Sequence, residues 1–240
     1  YDSSGNSKNG TLYNSPDWID GVNGSALRFD GNNQHVRFPD LISGDLSNFT
    51  VSVWFKADGL PTSSDEFWVV VGGGLDGEFS AGIASNGTLQ FQVNHGSGWT
   101  KFYSETEINT NQWYHAVYIF SEELDYAKIY VNGVLDSQHN FSSDLEMSTY
   151  SGNRIAVNSW GYSSNYFDGV IDEVSIYNEV INQSAINSLY NKHEHPGLPE
   201  WSYETGDSVK SVAVSADGEY IAVGSNDDNV YLFHKDSNIS

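Results

Sequence analysis

The chain has 240 residues, no cysteine, and 10 Lys and Arg against 32 Asp and Glu, for a formal charge of −22. A field of that sign repels phosphate backbones and anionic headgroups, which makes nucleic acid and membrane surfaces poor candidates as partners. Without cysteine there is neither a disulfide nor a thiolate metal site. No run of about 18 apolar residues is present to span a bilayer, and the chain opens on polar Tyr1-Asp2-Ser3-Ser4, so a mature or excised segment with no membrane insertion is expected.

Strand-like alternation runs through most of the first 178 positions. Val51, Val53 and Phe55 share one face of a strand and read as core, while Thr50, Ser52 and Trp54 share the other. The Asn86-Gly87 pair predicts a tight turn leading into a strand in which Leu89, Phe91 and Val93 alternate with Gln90, Gln92 and Asn94. Residues 113–120 and 128–131 predict a further strand pair, and Asn132-Gly133 predicts a second hairpin into Val134-Leu135. Short strands, Gly-rich turns and almost no helical periodicity predict two packed antiparallel sheets.

One helix is predicted near Gln183 to Tyr190, capped by Asn182 and amphipathic through Ile186, Leu189 and Tyr190. Pro196, Gly197 and Pro199 then break both periodicities, which sets residues 193–200 as a linker between a domain at 1–192 and a tail at 201–240. Sequons at Asn9, Asn23, Asn48, Asn86, Asn140, Asn182 and Asn238 would carry glycans only on exposed sites of a secreted protein.

Several motifs occur in one order along this chain. They are Asp2-Ser3-Ser4-Gly5-Asn6, Ala26-Leu27-Arg28-Phe29-Asp30-Gly31, Phe49 to Lys56, Trp113-Tyr114-His115-Ala116-Val117 and Ile129-Tyr130-Val131-Asn132-Gly133, then Phe167 to Asn178 and Ser188-Leu189-Tyr190. Together they resemble a laminin-G-like, concanavalin A-type domain. The resemblance implies an all-β jelly-roll sandwich of two antiparallel sheets with one short C-terminal helix, in a family of mostly extracellular binding modules. The stretch from Trp201 through Ser211 to Ser225, with Asn229 to Phe233, resembles one WD40-like or quinoprotein-type β-propeller repeat. A lone repeat of about 40 residues is a partial blade, so a longer parent chain is expected, or a tail whose open strand edges pair with neighbouring copies.

The resemblance also implies a structural calcium ion held by Asp2, the carbonyls of Asn6 and Gly31, and Asp172, with Asp30 and Asp168 as second choices. Exposed aromatic rings beside Asn, Asp and amide groups suit the C–H faces and hydroxyls of sugars. Trp68, His95, Trp99, Trp160, Tyr162 and Tyr166 are the candidate ligand-binding residues by that reasoning. Glu122-Glu123-Leu124-Asp125-Tyr126 resembles the alternating carboxylates of jelly-roll glucanases, but Ala127 and Lys128 stand where a further Glu is needed. Asp172 and Glu173, adjacent on a strand, are expected on opposite faces and so unsuited to act as a pair. The resulting expectation is a non-enzymatic, calcium-stabilised module, secreted or on the cell surface, that recognises carbohydrate or a surface protein. A structural spacer is the alternative, and a glycoside hydrolase or lyase the remote one.

Overall fold

β-branched and aromatic side chains at alternate positions make most of this chain extended. The computed structural model describes residues 2–39, 47–63, 67–73, 79–94, 99–141, 153–157, 165–192, 205–215 and 220–234. Its strands are β1 (Thr11–Tyr13), β2 (Asp17–Asp20), β3 (Ser25–Asp30), β4 (His35–Phe38), β5 (Asn48–Ala57), β6 (Phe67–Gly73), β7 (Phe79–Ala84), β8 (Thr88–Asn94) and β9 (Trp99–Glu107). They continue with β10 (Tyr114–Ser121), β11 (Tyr126–Val131), β12 (Val134–Asn140), β13 (Asn153–Ile155) and β14 (Asp168–Tyr177). Helix α1 (Gln183–Asn191) follows, then β15 (Val209–Val214), β16 (Tyr220–Ser225) and β17 (Val230–His234).

Two compact units result, Tyr1–Pro196 and Gly197–Ser240. The first is a sandwich of two seven-stranded antiparallel sheets, ordered β1-β4-β13-β6-β7-β8-β9 and β12-β11-β10-β5-β14-β3-β2. Val51, Val53 and Phe55 of β5 meet Ala81, Phe91 and Val93 of the opposite sheet in one buried cluster, as alternation on β5 and β8 predicts. Among the described residues no helix is long and apolar enough to cross a membrane.

Both predicted hairpins form, with different turns. Asn132 (φ 50°) and Gly133 (φ 79°) are both left-handed, the two-residue arrangement that suits strand twist. The β7–β8 connection instead uses Ser85, Asn86 and Gly87, with only Gly87 left-handed (φ 84°) and its N–H donating to the Ala84 carbonyl at 3.0 Å.

The second face of β5 is buried as well. Thr50, Ser52 and Trp54 retain 0%, 2% and 3% of their exposure, because α1 lies over this face. Ile186 buries itself against Val117, Ile119 and Tyr130, and Tyr190 stacks on Trp54 with 5.7 Å between ring centroids. The Asn182 side chain accepts from the Ala185 N–H at 3.0 Å and so caps the helix as expected. Beneath Tyr190, the Ser52 hydroxyl and His115 Nε2 lie 2.8 Å apart, and His115 is buried.

The second unit is a three-stranded antiparallel meander, β15-β16-β17. Asp227 organises its last turn by accepting from the Gly206 and Asn229 N–H groups and from the Tyr231 hydroxyl. The Tyr231 bond above all holds the Asp227 carboxyl down at about 2.

Candidate functional site

One face of each sandwich sheet points away from the core, and on the first sheet that face carries a row of polar side chains broken only by Gly72. Register places Thr11 opposite Arg37, Arg37 opposite Arg154, Arg154 opposite Gly72, Gly72 opposite Ser80, Ser80 opposite Gln92 and Gln92 opposite Lys101. The row crosses all seven strands and holds three cations and no carboxylate, in a chain of 32 acidic residues. A neighbouring row contributes Tyr13 and His35 at one edge and Gln90 and Tyr103 at the other. Ser80 and Gln90 keep only 5% and 4% exposure although they face away from the core, so the face is recessed along β7 and β8. Small residues floor it, and Gly82 is obligatory because a Cβ there would sit 2.0 Å from the Trp68 carbonyl oxygen.

The β1–β4–β13 edge is the most organised part. Tyr13 and His35 stack at 4.8 Å between centroids with 4° between planes, and the Arg37 guanidinium lies 4.6 Å from the Tyr13 ring centre. Arg37 Nε donates to His35 Nε2 at 3.3 Å. A neutral imidazole that accepts at Nε2 carries its proton on Nδ1, which donates to the Asn33 carbonyl at 3.0 Å. Tyr166 approaches His35 at 6.2 Å between centroids. Burial, then the neighbouring Arg37, hold the Arg154 guanidinium below its ordinary value.

Burial, followed by the charges of Arg37 and Arg154, also lowers the His35 pKa below 6.5, against the opposing pull of the Asn33 carbonyl. The unfolded chain therefore takes up this proton first on acidification. The contribution of neutral His35 is present above pH 6.5 and is lost as pH falls through the folded value. Thermal melting across this range should show wild type losing stability on acidification with a steeper slope than His35→Asn. Equal slopes would remove His35 as a source of pH dependence.

The candidates named from sequence scatter. Tyr166 belongs to the edge just described. Trp99, 37% exposed, stands opposite Asn94 on β9, five strand spacings or about 24 Å from β4. Trp68 is half-buried on the core side of β6 and meets Phe167 edge-on at 6.5 Å. His95, Trp160 and Tyr162 lie outside the described residues. Tyr13, His35, Arg37, Arg154 and Tyr103 escaped sequence reading, since only strand pairing brings them onto one face.

The four calcium candidates do not fit one ion. Asp30 pairs with Asp168, so Gly31 sits beside Asp168. Asp172 is four residues further along β14, about 13 Å at strand rise. Both Asp2 oxygens accept backbone N–H groups, from Ser4 and Lys8, each at 2.8 Å. The N–H and side-chain amide of Asn6 donate to the Ser4 hydroxyl. Asp172 Oδ2 accepts from the Val22 and Asn23 N–H groups at 2.9 and 3.2 Å, and Oδ1 from Glu173 N–H at 2.8 Å. Among the described residues no three His, Asp or Glu side chains converge as metal ligands.

Nor do Asp172 and Glu173 alternate. A β-bulge opens between Asp172 and Ser175, and Glu173 is left-handed at φ 47°, which turns both side chains toward the turn at 21–24. Asn23 donates to Asp172 from its backbone and to Glu173 Oε1 from its side chain at 3.3 Å. These carboxylates tie β14 to the β2–β3 turn. Glu122 to Asp125 form the β10–β11 hairpin turn, where Leu124 is 59% exposed.

Solved structures share this architecture. Domain 4 of AbnA, a GH43 extracellular arabinanase from Geobacillus stearothermophilus in complex with arabinotriose, is 23% identical, with TM-score 0.64 over 78% of this chain and 91% of its own. The binding domain of Paraclostridial Mosquitocidal Protein 1 is 18% identical, with TM-score 0.66 over 98% of this chain and 65% of its own. A structure of botulinum neurotoxin type C, whose cell entry depends on interaction with two ganglioside molecules, is 12% identical, with TM-score 0.63 over 95% of this chain and 59% of its own. The chain thus spans under two thirds of both toxin structures, and at these identities the likeness is one of fold. No curated protein matches the chain in sequence. The model of the concanavalin A-like lectin/glucanases superfamily matches residues 30–187, which includes β4 to β14 and the first turns of α1, and the chain belongs to that family.

Proposed function

We propose that the first unit is a non-catalytic glycan-binding module of a secreted or cell-surface protein, with the sugar chain lying across the outer face of the first sheet. The observation that carries this reading is the polar row from Thr11 to Lys101, recessed along β7 and β8 and flanked by aromatic rings. Gln90 and Gln92 offer amide donors and acceptors for sugar hydroxyls, and Tyr13, Tyr103 and Trp99 offer ring faces and edges for sugar C–H groups. The arabinotriose complex and the ganglioside dependence of two proteins with this fold support the ligand class by analogy, which is weaker than the geometry. The test is an oligosaccharide array probed with the full chain, followed by titration of the hits. Tyr103→Ala and Gln92→Ala should each weaken binding. Tyr103 is 45% exposed, so its truncation should change stability by no more than about 0.5 kcal/mol. Unchanged affinity in both variants would move the site off this face.

The tail favours a second, structural role. Val212, Val214, Val230 and Leu232 are 61%, 61%, 78% and 68% exposed, an apolar load that a three-stranded sheet cannot bury by itself. This reads as a β-propeller repeat seeking its neighbours, or as a contact with other copies in a surface assembly. Deleting residues 201–240 should leave the circular dichroism and melting of residues 1–192 unchanged, because the buried clusters of the sandwich are built from residues 27–189. Collapse of the shortened chain would make the tail part of the sandwich.

A further inference from the structure

We infer that the β1–β4–β13 edge of this face is a clamp for one anionic sugar residue, its oxyanion accepting from the terminal nitrogens of Arg37 while Arg154 adds a second positive charge. This rests on the glycan reading above and names the residue that anchors the ligand.

The chain has three arginines, Arg28, Arg37 and Arg154. Arg28 pairs with Asp58. The other two are direct cross-strand partners, an arrangement of like charges that costs stability in an isolated sheet. An anion held by Arg37 would place a negative charge beside this pair. Arg37 is held ready for such a role. Its Nε is engaged by His35 Nε2, and its guanidinium plane is steadied over Tyr13. Among the described residues its two terminal nitrogens donate to no protein group. A guanidinium fork fixed in this way presents parallel N–H groups that match a carboxylate or sulfate bidentately. His35 is thus a positioning residue for Arg37, and Tyr13 and Tyr166 provide ring surface beside the charge. Lys101, at the far edge, is a mobile point charge without that fork.

The net charge of −22 narrows the ligand further. A polyanionic polysaccharide would meet long-range repulsion from the whole molecule. A single acidic residue on an otherwise neutral oligosaccharide would meet the local clamp at little global cost. Binding should accordingly weaken only modestly with added salt.

Two-dimensional NMR and titration calorimetry of the full chain would test this with glucuronic acid, N-acetylneuraminic acid, glucose 6-sulfate, glucose and acetate as probes. At least one of the two sugar acids or the sulfate should shift His35 and the β4 and β13 amides and bind about tenfold or more tightly than glucose. The preferred probe identifies the oxyanion. Arg37→Gln should abolish that preference, Arg37→Lys should restore part of it, and Arg28→Gln, outside the site, should leave it intact. If glucose binds the Gln90–Gln92 row as well as the acids do, and Arg37→Gln changes nothing, the clamp is wrong while the glycan reading stands. If acetate binds as tightly as the sugar acids, the edge is a general anion site and the inference fails. If no probe shifts this face while hits from the oligosaccharide array do, the clamp again falls alone, and silence from both removes it together with the glycan reading.

Discussion

Phe49→Ala is expected to remove about 3–5 kcal/mol of stability from the sandwich, a large share of the roughly 5–15 kcal/mol available to a domain. Phe49 is fully buried at the start of β5, and its ring contacts Phe79, Phe91 and Phe120 at 4.8, 6.1 and 5.5 Å between centroids. Those partners come from both sheets, so truncation opens a cavity that neither sheet can close without giving up its own pairing. For a unit of this size the melting temperature should fall by about 6–20 °C. Phe49→Leu should fall less, since fewer buried atoms are deleted. A loss in Phe49→Ala below about 1 kcal/mol would mean that the site collapses freely and that the two sheets are not packed as described.

The second large effect is expected at Asp172. Removing its carboxylate leaves the N–H groups of Val22, Asn23 and Glu173 without their acceptor. At about 1–3 kcal/mol for a stranded buried donor, and with Asn23 near solvent, Asp172→Ala should cost about 2–4 kcal/mol. Asp172→Asn should cost less, because one oxygen remains and only one N–H then faces an amide donor. Burial of Asp172 outweighs its three N–H bonds and raises its pKa above 3.8. A raised carboxyl contributes stability that is fully present below the unfolded value and lost as pH rises through the folded one. The stability gap between wild type and Asp172→Asn should therefore narrow as pH rises out of the ordinary carboxylate range, which denaturant titrations at several pH values would show. If the Asp172→Ala loss disappeared when both proteins were measured in chelator, an ion and not the N–H groups would be the partner of Asp172.

Much of the local structure is legible in the sequence itself. The alternation of Val51, Val53 and Phe55, the cap at Asn182 and the hairpin at Asn132-Gly133 depend on neighbours a few residues apart, so side-chain period and the left-handed preference of Asn and Gly suffice to read them. The same period misled at Glu173, where a bulge in pairing with β5 reverses the expected side. It was silent on the burial of Thr50, Ser52 and Trp54, because a helix more than 100 residues later covers them.

The candidate site was hardly legible at all. Tyr166 was named for its aromatic loop, yet its neighbours His35 and Arg154 come from strands over 100 residues apart in sequence. By itself the sequence determined an all-β chain with its turns, its helix, its acidic charge and its family. The tertiary structure alone decided that Arg37, Arg154, Gly72, Ser80, Gln92 and Lys101 form one row, and that Gly31 and Asp172 cannot share an ion. The reason is that strand periodicity assigns each residue a face but says nothing about which strand lies alongside. That order, β4-β13-β6 and β5-β14-β3, is set by long-range packing of two sheets around one core.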